Sequence, residues 1–244
     1  MIRWFLRGVT RPRVTTCYPR EPEPPPVGFR ARASLPSEAV IDEAARRVAA
    51  ICLPGALSVE PDGALALDEK RCIGCGLCAH ALTMDAGYEL ARLGSSPVSL
   101  SPSFRRSLHI RHVDTGSDGA VEQEIAALLN PYYDMQRLGL FFTASPRHAD
   151  ILLVTGPVTA PMEEPLRRAY EAMPEPRVVV AAGTDACSGS IWTEPEVLGG
   201  VDRVLHVDVY IPGDPPTPIA LLHGLLLASG RAGEASMPVK KSAA

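Results

Sequence analysis

The stretch DILLVTG, residues 150–156, is a short run of apolar residues that ends in threonine and glycine. A run of this length bounded by a turn residue is typical of a buried strand. RVVVAAG at residues 177–183 has the same form, and the helix-like segment EEPLRRAYEAM, residues 163–173, lies between the two runs. Strand and helix in alternation predict a largely parallel sheet with helices on its faces.

The same alternation extends outward from residue 150 in both directions. Further apolar, β-rich runs predict strands at residues 107–113, 139–144 and 204–211. The sequence thus predicts an α/β fold with a mostly parallel sheet and flanking helices from residue 107 onward. In such a fold, functional residues collect in the loops beyond the carboxyl ends of the strands. Those loops are residues 114–119, 155–159, 183–190 and 212–216.

Composition limits the possible functions. The chain has 244 residues, 46% of them hydrophobic, which is enough for one or two domains with a real core. A net charge of −4 leaves no basic surplus for neutralising phosphates, so nucleic-acid binding is not expected. The longest apolar run, residues 219–228, is about half the length that a membrane span needs. We therefore expect no membrane span and, because no signal-peptide pattern opens the chain, a cytoplasmic protein.

The residues before the predicted sheet divide into segments of different composition. Residues 1–34 contain EPEPPP and predict an extended arm, in which MIRWFLRGVTRPR suits an anionic or interfacial surface. A solvated, disordered tail is the alternative for this arm. Residues 35–95 hold a cysteine cluster, residues 96–106 (SPVSLSPSFRR) predict a linker, and residues 231–244 a flexible tail.

The cysteine cluster lies in RCIGCGLCAHAL, residues 71–82. Cys72, Cys75 and Cys78 have the C-x-x-C-x-x-C spacing that wraps three thiolates around one [4Fe–4S] cube. The usual run continues to a fourth cysteine and a proline, but Leu82 and Thr83 occupy those positions. A tetrahedral zinc site is the alternative for four cysteines. Lys70 and Arg71, beside the motif, are expected to be solvated charges.

Three longer segments carry a family resemblance. HIRHVDTGSDGAVEQEI (109–125), NPYYDMQRLGLFFTASPRHADILLVTGPVT (130–159) and VDVYIPGDPPTPIALLHGLL (207–226) resemble the small, cluster-bearing subunit of membrane-bound [NiFe] hydrogenases of the formate-hydrogenlyase type. That protein is homologous to the B-type subunit of NADH:quinone oxidoreductase (complex I). The resemblance covers residues 107–230 and implies the fold of that B-type subunit. Residues 35–95 resemble the small α+β ferredoxin-like domain that precedes it in some members.

The resemblance also supplies the fourth ligand. In a two-cluster ferredoxin module, the last cysteine of each run ligates the other run's cluster. AAICLPGALSV, residues 49–59, resembles the end of a first run and places Cys52 at the ligand position. The retained set implied by the family is Cys52, Cys72, Cys75 and Cys78, which would hold one [4Fe–4S] cluster. The other cluster would have needed cysteines where this chain has Asp42, Ala45, Val48 and Leu82.

The chain departs from the family at a further cluster, the proximal one. Aligned without gaps, the four cysteine positions of the family hold Asp118, Val121, Asp185 and Asp214, so the resemblance implies that this cluster is lost. The three aspartates either bind a hard cation such as Mg²⁺ or accept hydrogen bonds from backbone N–H groups, with Asp214 as a helix cap. Packing or isolated roles are expected for the remaining cysteines and for three histidines: Cys17, Cys187, His109, His112 and His148.

These observations lead to three functional hypotheses. The first is an electron-transfer subunit, without an active site of its own, on the cytoplasmic side of a membrane-bound hydrogenase-like or complex I-like oxidoreductase. Its partners would be a large subunit and membrane subunits. The second is a structural or docking subunit in which the cluster only staples the fold. The third is a redox or oxygen sensor with a labile cluster.

Overall fold

A computed structural model describes residues 2–10, 14–35, 43–61, 63–102, 105–189 and 191–233. The helices are α1 (Ile2–Thr10), α2 (Glu43–Ala50), α3 (Ala120–Ala127), α4 (Ala160–Glu171), α5 (Thr184–Ser188) and α6 (Pro218–Ala228). The strands are β1 (Arg32–Ser34), β2 (Leu57–Val59), β3 (Leu65–Leu67), β4 (Thr83–Asp85), β5 (Arg92–Leu93), β6 (Leu108–Asp114), β7 (Leu140–Phe142), β8 (Ile151–Thr155), β9 (Val158–Thr159), β10 (Val178–Ala182), β11 (Val197–Gly199) and β12 (Val209–Ile211). None of these helices is long and apolar enough to cross a membrane.

The central sheet has six strands in the order β5-β12-β10-β8-β6-β7. Every neighbouring pair is parallel except β12 and β5, which is antiparallel. The mostly parallel α/β sheet predicted from the sequence is therefore confirmed. The strand order reverses between β6 and β8, which is the point where ligand sites form in folds of this kind.

The sheet is buried on both faces because its central strands carry apolar side chains at almost every position. All residues of β8 and β10 are buried. Ile151 and Leu153 point into one core together with α3 and the entirely buried α6. Leu152 and Val154 point into a second core, on the opposite face, with residues of α4 and α5. Successive side chains of a strand alternate between the two faces of the sheet, so one strand contributes side chains to both cores.

A smaller module precedes the sheet. Strand β1 pairs antiparallel with β4, and β2 with β3, while α2 packs on β2. A third apolar core joins these elements and includes Val48, Leu57, Cys72 and Cys78. The module begins at Arg32 and mostly overlaps residues 35–95, for which the ferredoxin-like domain remains a prediction. The strand that follows it, β5, adds directly to the edge of the central sheet, so the two parts are continuous.

The N-terminal residues correct the expectation of an extended arm. Residues 2–10 form the helix α1, and residues 14–34 lie against the rest of the chain. Tyr18 is only 3% exposed, and Arg137 donates hydrogen bonds from Nη2 to the carbonyl oxygens of Thr16 (3.1 Å) and Tyr18 (2.6 Å). This burial and the two hydrogen bonds hold the segment in place. Residues 1 and 11–13 of the predicted arm lie outside the described residues.

The predicted linker at 96–106 is also held against the sheet. Asp208 is 2% exposed, and its carboxylate accepts hydrogen bonds from the backbone N–H groups of Val98 and Val179, both at 2.7 Å. Strand β12 begins at Val209 rather than at residue 204 as predicted, because the N–H groups of Val204 and Leu205 bond to the carbonyl oxygen of Val201, both at 2.9 Å, and continue the turn Val201–Arg203. Residues 103–104 of the linker and 234–244 of the predicted tail lie outside the described residues.

The contacts of Asp208 predict a measurable loss of stability. Substitution Asp208→Ala leaves the buried N–H of Val179 and the partly buried N–H of Val98 without this acceptor, which should lower the free energy of unfolding by about 1–3 kcal/mol. Urea denaturation would measure this. The exposed Glu171 offers a control, since Glu171→Ala should change the value by less than about 0.5 kcal/mol. Equal, small effects of the two substitutions would contradict the anchoring role of Asp208.

Candidate iron–sulfur site

The C-x-x-C-x-x-C segment forms a tight loop that depends on two glycines. Gly74 and Gly76 have φ angles of +66° and +76°, which residues other than glycine rarely adopt. A Cβ atom at Gly74 would lie 2.6 Å from the carbonyl oxygen of Ala31, and one at Gly76 would lie 2.5 Å from a guanidinium nitrogen of Arg30. The glycines therefore let the loop curl closely and rest against the segment that precedes β1.

The four predicted ligand cysteines lie around a single pocket. Cys72 and Cys78 are buried, Cys75 is exposed, and Cys52 is partly exposed in the turn that follows α2. The space between these side chains, including the part that is open to solvent, is about 380 Å³. Its lining is otherwise almost entirely apolar. The other lining residues are Ala33, Val48, Pro54, Ala56, Leu57, Leu67, Ile73, Gly74, Gly76, Leu77 and Met84.

The four thiols are close enough to influence one another's charge. The pKa of Cys78 is raised, first because burial disfavours the thiolate, and also because Cys72, Cys75 and Cys52 would place further negative charge nearby. A metal cluster offsets such repulsion because its iron atoms bind thiolates and displace their protons. Four soft ligands around one apolar pocket are a donor set that fits a [4Fe–4S] cluster. Among the described residues, no three His, Cys, Asp or Glu side chains are grouped to hold a single metal ion.

Arg71 connects the two segments that carry the cysteines. Its Nε donates a hydrogen bond of 2.8 Å to the carbonyl oxygen of Pro54, and its guanidinium group lies 3.8 Å from the Cβ position of Gly55. The expectation that Arg71 is merely solvated is therefore wrong. Lys70 is also engaged, with Nζ 4.2 Å from the ring centre of Tyr210 and 3.5 Å from the carboxylate of Asp202. None of these contacts could be foreseen, because Pro54, Tyr210 and Asp202 are distant in sequence from Arg71 and Lys70.

The positions of the second ferredoxin cluster hold apolar packing where they are described. Val48 is 1% exposed and Leu82 is 7% exposed, and both belong to the core that contains Cys72 and Cys78. Ala45 lies on α2, and Asp42 lies outside the described residues. Val48 also lines the cysteine pocket. Val48 and Leu82 thus add apolar contacts to the module rather than metal ligands.

The strand-end loops of the central sheet bring Val121 against Gly183. Val121 is 5% exposed, and a Cβ atom at Gly183 would lie 2.8 Å from its Cγ2 atom. Asp185 is buried in α5 at 9% exposure, whereas Asp118 and Asp214 lie at the surface. The Oδ1 atom of Asp118 accepts a hydrogen bond of 2.9 Å from the backbone N–H of Ala120. Direct packing of a valine on a glycine thus fills part of this region.

Asp214 is not the helix cap that the sequence suggested. Helix α6 begins at Pro218, and Thr217 caps it by accepting a hydrogen bond from the N–H of Ala220 at 3.3 Å. The pKa of Asp214 is raised, mainly by partial burial and further by the negative charge of Asp118. The two surface carboxylates therefore repel each other.

Thr184 joins the two candidate sites, and sequence reasoning missed it. Its hydroxyl lies 3.4 Å from the carbonyl oxygen of Cys72 and accepts a hydrogen bond from the N–H of Gly213 at 3.0 Å. The turn Glu69–Arg71, just before Cys72, packs on α5. The cysteine loop thus lies directly against the strand-end loops of the central sheet.

The remaining cysteines and histidines lie away from the pocket. None of the six cysteines forms a disulfide. Cys187 is buried beside the carbonyl oxygen of Ala181, and burial raises its pKa. His112 Nε2 lies 2.9 Å from Thr155 Oγ1, and His109 Nδ1 lies 3.8 Å from a carboxylate oxygen of Asp150.

Comparison with known proteins bears on the central sheet. Residues 119–228, which run from the loop before α3 to the end of α6, match the family described as NADH ubiquinone oxidoreductase, 20 Kd subunit. The chain is 44% identical over 146 residues to the probable membrane-bound hydrogenase subunit mbhJ of Pyrococcus furiosus, which covers 59% of this chain and 87% of that protein. The chain belongs to this family.

Two further relatives are larger than the shared region. Formate hydrogenlyase subunit 7 of Escherichia coli is 43% identical over 139 residues, 57% of this chain and 54% of that protein. The B-type subunit of NADH-quinone oxidoreductase from Citrifermentans bemidjiense is 51% identical over 94 residues, 38% of this chain and 55% of that protein. Relatives in the 20 Kd subunit family are thus subunits of hydrogenase-like and complex I-like oxidoreductases. The cysteine module lies outside the residues matched to the family.

The repulsion at the strand-end loops predicts a pH-dependent effect. Because the pKa of Asp214 is higher in the folded than in the unfolded chain, stability falls as pH rises through these pKa values. Substitution Asp214→Asn should therefore raise Tm at pH 7, by on the order of 1 °C given the solvent exposure, and the gain should vanish in acid where Asp214 is protonated. Differential scanning calorimetry at both pH values would test this. Because partial burial is the larger cause, part of the gain should persist in an Asp118→Asn background, but a gain of unchanged size there would show that Asp118 does not repel Asp214.

Proposed function

We propose that this protein is an iron–sulfur electron-transfer subunit of a membrane-bound hydrogenase-like or complex I-like oxidoreductase. One observation carries the proposal: Cys52, Cys72, Cys75 and Cys78 line a single apolar pocket in a chain of the 20 Kd subunit family. The proposed cofactor is one [4Fe–4S] cluster held by these four cysteines. When bound, such a cluster supplies reversible one-electron transfer without a proton or a bond change.

The chain's own residues would position and insulate this cofactor. Cys72 and Cys78 lie on the buried side of the pocket, where apolar neighbours exclude water. Met84 adds a soft contact, with its Sδ atom 3.7 Å from Cys78 Sγ. Cys75 lies at the surface, so one corner of a bound cluster would be close to solvent. Burial and exposure of this kind are among the factors that set a cluster's reduction potential.

We further propose that the proximal cluster of the family is lost in this chain. Asp118, Val121, Asp185 and Asp214 stand where the family resemblance places its four cysteines. Carboxylates are hard ligands that suit iron–sulfur clusters poorly. The close contact between Val121 and Gly183 supports the proposal, because it puts hydrocarbon where a cluster would need room.

The proposed partners are a large oxidoreductase subunit and membrane subunits, with the protein peripheral on the cytoplasmic side. Helix α1 fits such an assembly. Its apolar residues Ile2, Phe5, Leu6 and Val9 are between 53% and 77% exposed and share one face of the helix. A face of this kind, with arginines beside it, suits burial against a partner subunit or a membrane-proximal surface.

A structural subunit is the second candidate function, and a specific contact favours it. The cysteine loop packs on α5 and touches Thr184, so a cluster could serve to fix this interface. Cluster binding can supply folding free energy without any redox role. The two functions differ in the reduction potential of the cluster and in its reoxidation by partner proteins. A reduction potential outside the biological range would identify a purely structural cluster. Rapid loss of the cluster in air would identify a redox or oxygen sensor.

Iron content tests the proposed function directly. Protein reconstituted anaerobically with iron and sulfide should bind about four irons and four sulfides per chain. Cys52→Ser should lower this content as severely as Cys75→Ser, because each removes one ligand of the same cluster. Cys187→Ser is the matched control and should leave the content unchanged. About eight irons per chain, or an unchanged iron content after Cys52→Ser, would refute the assignment.

Arg71 should act on the cluster through Cys52. Its hydrogen bond to Pro54 fixes the turn that carries Cys52, so Arg71→Gln should loosen that ligand while leaving the other three in place. We expect several-fold faster conversion of the cluster to a three-iron form in air, followed by electron paramagnetic resonance. Arg71→Lys should rescue only in part, because an ammonium lacks the planar fork of arginine. A substitution that merely unfolded the module would instead lower total iron without accumulating the three-iron signal.

A further inference from the structure

The surface around Cys75 combines exposed apolar side chains with arginines. Ile51 and Leu53, which flank Cys52, are 53% and 68% exposed, and Leu77, between Cys75 and Cys78, is 53% exposed. Cys52, Cys75 and Leu77 line the same pocket, and Ile51 and Leu53 are the chain neighbours of Cys52, so the three apolar residues lie at or beside that pocket. We call Ile51, Leu53, Cys75 and Leu77 the cluster face.

The arginines lie on two sides of the cluster face. Arg47 is exposed on α2, and Ile51 follows one turn later, just past the end of the helix, where its N–H donates a hydrogen bond of 3.2 Å to the carbonyl oxygen of Arg47. The guanidinium group of Arg30 rests against Gly76, next to Leu77. Arg46 is a third exposed arginine on α2. Within the described part of the chain, these three arginines form no ion pair with a carboxylate.

The nearby carboxylates are mostly engaged within the protein. Glu69 binds Arg32 and Arg92, the latter at 3.0 Å, and the side chain of Asp68 accepts a hydrogen bond from the N–H of Lys70. Glu43, a turn before Arg47 on α2, is the exposed exception. The cluster face is therefore bordered by positive charge on a chain whose net charge is −4.

From this arrangement we propose that the cluster face is the docking surface for an acidic protein that carries its own redox centre. The proposal rests on the electron-transfer function and identifies where and with what kind of partner it occurs. Complementary charge would steer the encounter, and the small apolar centre would exclude water where the two redox centres approach. In the transfer step, the carrier loses one electron and the cluster gains it, with no bond made or broken. A face of this size suits a transient complex.

Binding to an oxidised, acidic two-cluster ferredoxin tests the proposal without any catalytic turnover. Isothermal titration calorimetry at about 50 mM salt should give a Kd that Arg47→Glu weakens roughly tenfold, with the difference shrinking at about 500 mM salt. Leu53→Ser should weaken binding about threefold at both salt concentrations, because it removes apolar contact rather than charge. A basic c-type cytochrome should not bind.

Matched controls separate the cluster face from general surface effects. Arg147→Glu reverses an exposed charge in the turn that precedes β8, and Val27→Ser removes a fully exposed apolar side chain outside the cluster face. Neither should change the Kd. Equal effects of Arg147→Glu and Arg47→Glu would overturn the proposal, as would self-association through this face that Leu53→Ser abolishes while ferredoxin affinity stays the same.

Iron analysis of every variant keeps the two proposals distinguishable. Variants that retain about four irons per chain but bind the ferredoxin as tightly as the unmodified protein would overturn the docking surface and leave the electron-transfer function standing. A chain without iron would overturn the proposed function, and the docking proposal with it.

Discussion

Burial of β8 and β10 on both faces is the constraint on which the rest of the structure depends. Strand pairing satisfies most of their backbone groups, and their side chains need two separate apolar cores, so helices must cover both sides of the sheet. The parallel arrangement then sends the chain out at one edge after every strand. Asp118, Val121, Asp185 and Asp214 lie in the loops or at the helix starts that follow β6, β10 and β12, and they lie at one edge of the sheet for this reason.

Short, apolar, β-rich runs in the sequence predicted the strands β6, β7, β8 and β10. Their predicted bounds agree with the structure to within a residue or two. The prediction failed where local hydrogen bonds decide where an element begins. Val204 and Leu205 bond to the carbonyl oxygen of Val201, so β12 begins later than predicted, and Thr217 rather than Asp214 caps α6. No periodic pattern in the sequence records such contacts.

The residues of the candidate site were likewise predicted only in part. Spacing alone singled out Cys72, Cys75 and Cys78, whereas Cys52 followed from the family resemblance, and the structure brings all four around one pocket. Arg71 and Thr184 were not foreseen because their partners, Pro54 and Cys72 in particular, become neighbours only when the module folds onto the sheet. Helix α1 was missed because arginine and proline nearby suggested an irregular arm.

The short strand β5 gives the cysteine module an influence beyond its own pocket. β5 follows the module in sequence and pairs with β12, so it covers what would otherwise be an open edge of the central sheet. Open edges invite pairing with other chains and lead to aggregation. If the cysteine module were unfolded, β5 would no longer cover this edge of the sheet. Folding of the module would therefore govern the solubility of the whole protein as well as its chemistry.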